Sequence, residues 1–134
     1  MKIVNLPNPI ELCCASARSF PEGIVEAHDK IRALYPPAKD RTYFGLSRPE
    51  NGVIVYKAAV EIRSGEAPAH PGIEKFVIAA GDYLSLTVTD FAKKPMAIGE
   101  AFQKIINEPG IDPQGYCLEW YQNTKDVLCL VKLA

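Results

Sequence analysis

With 134 residues, 15 Lys and Arg against 16 Asp and Glu and a formal net charge of −1, the chain fits one domain that buries roughly two-thirds of its unfolded surface. It lacks the basic excess that neutralising nucleic-acid phosphates requires, no segment reaches the ~20 apolar residues that span a bilayer, and Glu11 interrupts the N-terminal apolar run where a signal peptide would be unbroken. A cytoplasmic protein with no direct nucleic-acid partner and no membrane partner is expected.

The first strand is expected at 10–19, after a short lead containing Pro7 and Pro9. Pro21 stands near the start of a helix over 22–35, where Ile24, His28, Ile31 and Tyr35 share one face, and Pro36-Pro37 stops it. Strands over 41–47 and 53–63 flank a turn ending in Asn51-Gly52, a hairpin signal. The Pro- and Gly-rich stretch 64–73 is the strongest composition break and separates two halves, about 1–66 and 72–134. Beyond it come a strand at 75–89, bent or bulged at Gly81, and a helix at 95–107. Pro95 opens that helix, Ile98, Phe102, Ile105 and Ile106 form its apolar face, and Pro109-Gly110 closes it. Strands at 116–122 and 127–133 make a second hairpin around 123–126. The expected class is α+β: two pseudo-symmetric β-α-β-β modules whose sheets join into one antiparallel sheet, with two helices and a central groove.

The cysteines, Cys13, Cys14, Cys117 and Cys129, form no C-x-x-C pair, and His28 and His70 are the only histidines, so no metal site is expected. Cys13 and Cys14 point to opposite strand faces and are expected to be reduced and buried. No P-loop, dinucleotide fingerprint or nucleophile elbow occurs, so no cofactor is expected.

Leu118-Glu119-Trp120-Tyr121 places a carboxylate inside an apolar, aromatic strand. Alternation sets Cys117, Glu119 and Tyr121 on one face and Tyr116, Leu118 and Trp120 on the other. If the first face is buried, the Glu119 carboxylate is desolvated at a cost of several kcal/mol unless a donor or cation offsets it, and its pKa rises. Aromatic rings beside such a group suit an organic cation; the alternative is a Glu119 on a solvated face, paired with a lysine. Tyr56, amid Val53, Val55, Ala58 and Val60, needs a partner for its phenol if buried. His28 is expected in the core and His70 in solvent.

Tyr43-Phe44-Gly45-Leu46, Val55-Tyr56-Lys57-Ala58, Ile78-Ala79-Ala80-Gly81-Asp82-Tyr83, Glu119-Trp120-Tyr121 and the strand around Val131 resemble the GyrI-like small-molecule-binding family, which includes effector-binding domains of multidrug-responsive AraC-type and MerR-type regulators. The resemblance covers roughly 40–134 and implies a pseudo-twofold domain with its ligand in the groove between modules. It assigns Glu119 and Tyr121 as the acidic determinant for lipophilic cations and Tyr56 as the central-strand tyrosine, with Tyr83 a looser match. Trp120 and Phe44 complete the ligand-binding candidates. No helix-turn-helix precedes the domain, so the chain is not expected to act as a transcription factor by itself. The leading expectation is a stand-alone binder of lipophilic, aromatic or cationic molecules. A second is a hydrolase opening cyclopropanoid genotoxic compounds, as some free-standing members resemble, with Glu119 activating water and Tyr56 bonding the oxyanion. A third is a protein-interaction module that inhibits a partner such as a topoisomerase.

Overall fold

Pro7 and Pro9 lack the amide hydrogens that would keep the first residues in one ladder. They divide two strands, β1 (Lys2–Leu6) and β2 (Ile10–Ser16). The computed structural model describes residues 1–38, 41–63, 66 and 70–134. After β2 come α1 (Ile24–Leu34), β3 (Tyr43–Glu50), β4 (Val53–Glu61), β5 (Ile73–Ile78), β6 (Gly81–Val88), a 3-10 turn at Phe91–Lys93, α2 (Ala97–Ile106), β7 (Cys117–Tyr121) and β8 (Val127–Lys132). Antiparallel pairing joins the strands into one sheet of order β1-β6-β8-β7-β3-β4-β2-β5. The fold is α+β, with two helices on an eight-stranded antiparallel sheet.

Each half carries one strand more than the β-α-β-β reading. The lead over 2–6 is strand β1, not an irregular segment, and the single strand expected at 75–89 is two, because Ala79 and Ala80 leave the ladder and Gly81 turns with φ +134°. That conformation is open to glycine and strained for other residues. The bend lets β5 pair with β2 while β6 pairs with β1 and β8. Each half therefore lends its leading strand to the other. Of the loop expected at 64–73, residues 64, 65 and 67–69 lie outside the described residues, and Ile73 already belongs to β5.

Alternation sorts the apolar residues between two faces. Leu6, Leu12, Cys14, Phe44, Leu46, Ala59, Ile78, Tyr83, Leu118 and Leu130 form one core on the face away from the helices. Both edge strands contribute to it, through Leu6 and Ile78, so the sheet curls around it. On the other face, α1 packs Ala27, Ile31 and Tyr35 onto Cys13, Ala15, Ala58 and Val60. There α2 packs Ala101, Phe102 and Ile105 onto Val88, Val127, Cys129 and Val131. Cys13 and Cys14 do face opposite ways, and all four cysteines are free. Ile106, expected on the apolar face of its helix, is instead 44% exposed, and Ala101 takes the buried position. The buried set Ala101, Phe102 and Ile105 follows the 3.6-residue period, which carries Ile106 round toward solvent.

The β3–β4 hairpin closes on two residues, with Glu50 opposite Val53 and positive φ at both Asn51 (53°) and Gly52 (80°). That is the backbone of a type I′ turn, whose twist matches the strands it joins. Among the described residues no helix is long and apolar enough to cross a membrane.

Candidate functional site

Three adjacent strands, β4, β3 and β7, bring Tyr56 and Glu119 together across a glycine. Gly45 of β3 lies opposite Glu119 of β7 and Ala58 of β4. A Cβ at Gly45 would sit 2.6 Å from Glu119 Oε1 and closer still to Tyr56 Oη. The missing side chain opens the space in which Tyr56 reaches over β3 to the carboxylate. Glycine within a strand commonly marks such a close approach, and this was the signal available in Tyr43-Phe44-Gly45-Leu46.

Glu119 is buried, 7% exposed, and its Oε1 accepts two hydroxyls: Tyr121 Oη at 2.6 Å and Tyr56 Oη at 3.0 Å. Behind Tyr56, His28 of α1 places Nε2 2.8 Å from the same phenol oxygen. Because Tyr56 donates its proton to Glu119, the imidazole donates from Nε2 and holds a bare lone pair on Nδ1. Nδ1 is buried with no hydrogen-bond partner among the described residues. Protonating it would place an unanswered N–H in the core. Consistently, burial, with the nearby positive charge of Arg32, lowers the His28 pKa to about 4. Burial raises the Glu119 pKa above the ordinary carboxylate range, against the lowering effect of the Tyr121 and Tyr56 hydrogen bonds. Burial, followed by the Glu119 charge, likewise raises both phenols, so Tyr56 and Tyr121 keep their protons. Cys117 and Cys129 flank Glu119 and are pushed by burial to about 11 and 12, so they remain thiols.

Rings fix this network in place. Tyr121 stands edge-on to His28, at 5.6 Å between centroids, and to Phe91, at 5.4 Å, and Phe20 lies 6.0 Å from Tyr56. Both hydrogen bonds to the carboxylate end on Oε1, so the second oxygen, Oε2, has no hydrogen-bond partner among the described residues, and Glu119 lines a cavity of about 780 Å³ between the two helices. Phe20, Pro21 and Ile24 wall it from the α1 side, and Met96, Ile98 and Phe102 from the α2 side. A mostly apolar cleft with few convergent polar groups is the usual form of a small-molecule site.

The sequence candidates divide cleanly. Glu119, Tyr121 and Tyr56 meet at the cavity floor, whereas Phe44, Trp120 and Tyr83 lie on the opposite face of the sheet. The expectation that these three face the groove is corrected by strand alternation: Trp120 follows Glu119 by one residue and packs on Phe44, 5.4 Å between ring centroids. Tyr83 donates to the Ala79 carbonyl at 2.7 Å. His28, expected only as a core residue, is buried but belongs to the polar network. Among the described residues no three His, Cys, Asp or Glu side chains are grouped to hold a metal ion.

No known protein family matches the chain, and neither does any curated protein. Several solved structures resemble it, two of which illustrate the likeness. One is an integron cassette protein from the mobile metagenome of Vibrio cholerae, at TM-score 0.72 and 15% identity, covering 99% of this chain and 95% of that one. The other is a hydrolase from Listeria innocua, at TM-score 0.56 and 8% identity, covering 99% of this chain and 90% of that one. At such identities the likeness lies in the fold: the chain shares a small α+β architecture with both.

Proposed function

We propose that this chain is a GyrI-like small-molecule-binding domain for lipophilic, aromatic or cationic compounds, held in the groove between α1 and α2 with Glu119 as the charge determinant. One observation carries the reading: a buried carboxylate with one oxygen tied to two tyrosines and the other unpartnered, at the floor of an apolar cavity of about 780 Å³. A carboxylate in that setting is costly by itself. A cation that fills the cavity offsets the cost, and the surrounding rings add about 0.5–2 kcal/mol through their faces. Tyr56 and Tyr121 hold the carboxylate in position; the helix residues shape the walls.

Calorimetric titration of wild type and Glu119→Gln with aromatic cations and their neutral analogues tests the reading. Wild type is expected to bind the cations at least ten-fold more tightly than the variant does, with little change for the neutral analogues. Cations bound equally by both proteins would sink it.

A second reading, hydrolysis of a cyclopropanoid electrophile, is favoured by the raised pKa of Glu119 and by the hydrolase name of the Listeria protein with this fold. On it, Oε2 orients and deprotonates water. Mass spectrometry of the ligand recovered from each titration distinguishes the two: one added water supports hydrolysis, an unchanged mass supports binding alone.

A further inference from the structure

The two oxygens of Glu119 are not equivalent, and the difference bears on which ligands fit. Oε1 accepts both tyrosine hydroxyls, which occupy its two lone pairs. Oε2 accepts nothing from the described residues, and the network holds its members away from it. The oxygen of Tyr56 is held by His28 Nε2 at 2.8 Å, and the ring of Tyr121 stands between those of His28 and Phe91. The remaining groups around the carboxylate make no hydrogen bond to it: His28 is neutral and donates its Nε2 proton to Tyr56, and the only hydroxyls or thiols bonded to Glu119 among the described residues are those of Tyr56 and Tyr121, not Cys117 or Cys129. On α2, Glu100 and Lys104 line the same cavity but are exposed, and neither pairs with Glu119.

We infer, on the reading proposed above, that the groove selects amines carrying an N–H, which donate it to Glu119 Oε2, over quaternary ammonium ions of the same shape. A protonated amine supplies the one hydrogen bond the buried carboxylate lacks, and bonds of this charge-assisted kind are roughly twice as strong as neutral ones. A quaternary ion brings the charge but only C–H groups, leaving Oε2 desolvated and unbonded. Ordinary hydration runs the other way: the quaternary ion is the less strongly hydrated of the two and is the easier to bring into an apolar cleft. Selection for the amine therefore reports the bond to Oε2.

The test is a methylation series on one ring system, 1-(aminomethyl)naphthalene, its N,N-dimethyl derivative and its N,N,N-trimethylammonium salt, with 1-neopentylnaphthalene as the uncharged shape match. Affinities are measured by equilibrium dialysis at pH 7. The expected result is a loss of at least ten-fold at the last methylation, where the final N–H disappears, and a smaller change at the earlier step. In Glu119→Gln that break should vanish; the wild-type series decides the question even if the variant does not fold. A dimethylamine and a trimethylammonium salt that bind alike, both above the hydrocarbon, overturn the inference while leaving the cation-binding reading in place. A hydrocarbon that binds as well as either cation, or no binding by any of the four, overturns that reading and the inference with it.

Discussion

At the scale of single residues, the site depends on one absent side chain and two opposed titrations. Gly45→Ala introduces a methyl group inside contact distance of Tyr56 Oη and Glu119 Oε1. Both must shift, so a stability loss of about 1–3 kcal/mol is expected from urea unfolding, together with weaker ligand binding. The pH dependence separates the two buried groups. His28 has a folded pKa of about 4 against 6.5 unfolded, so between those values the unfolded chain binds more protons and stability rises with pH. The gain is on the order of 3 kcal/mol across the window. His28→Gln should flatten the urea-midpoint profile from pH 4 to 6.5. Glu119 acts in the opposite sense: its folded pKa is raised, so the native state binds the extra proton and stability falls as pH rises from the ordinary carboxylate value through the folded one. Glu119→Gln should therefore be more stable than wild type on the alkaline side of that transition. A variant less stable than wild type there would show that the carboxylate's hydrogen bonds outweigh its burial.

At the scale of elements, the glycines show two different requirements. Gly45 is needed for space; Gly52 is needed for conformation, with φ +80° and nothing within 4 Å of an added Cβ. Gly52→Ala should thus cost about 1 kcal/mol through backbone strain alone, measurable as a lower urea midpoint, while ligand affinity stays unchanged. Loss of affinity in that variant would mean that the hairpin tip communicates with the groove. Most elements were legible. Pro21, Pro36-Pro37, Pro95 and Pro109-Gly110 bracket two helices that form within about two residues of the expected ends, and Asn51-Gly52 marks the hairpin turn. The missed elements are those whose local pattern is weakest. In β1, Val4 and Leu6 are the residues that turn toward the core, and its partner β6 lies some eighty residues away. The β5–β6 run reads as one continuous strand because only Gly81 marks its bend.

At the scale of the whole molecule, the exchange of leading strands ties the halves together. A fragment of residues 1–66 lacks the β6 partner of β1 and the β5 partner of β2, and a fragment of residues 72–134 lacks the reciprocal pair. Each alone is expected to show little strand signal by circular dichroism, and mixing the two should restore it; a fragment folded by itself would refute the interlocked description. The sequence by itself determined the class, the two helices, most strands and the partition of Glu119 and Tyr121 from Trp120, because all of these follow from local period and from proline and glycine. Only the tertiary structure decided which face meets the groove. That choice rests on where α1 and α2 pack, and alternation is blind to it, since both faces of this sheet are apolar. The same long-range packing brings His28 to Tyr56 and Tyr56 across Gly45 to Glu119, contacts between residues 28 and 63 positions apart in the chain that no local pattern encodes.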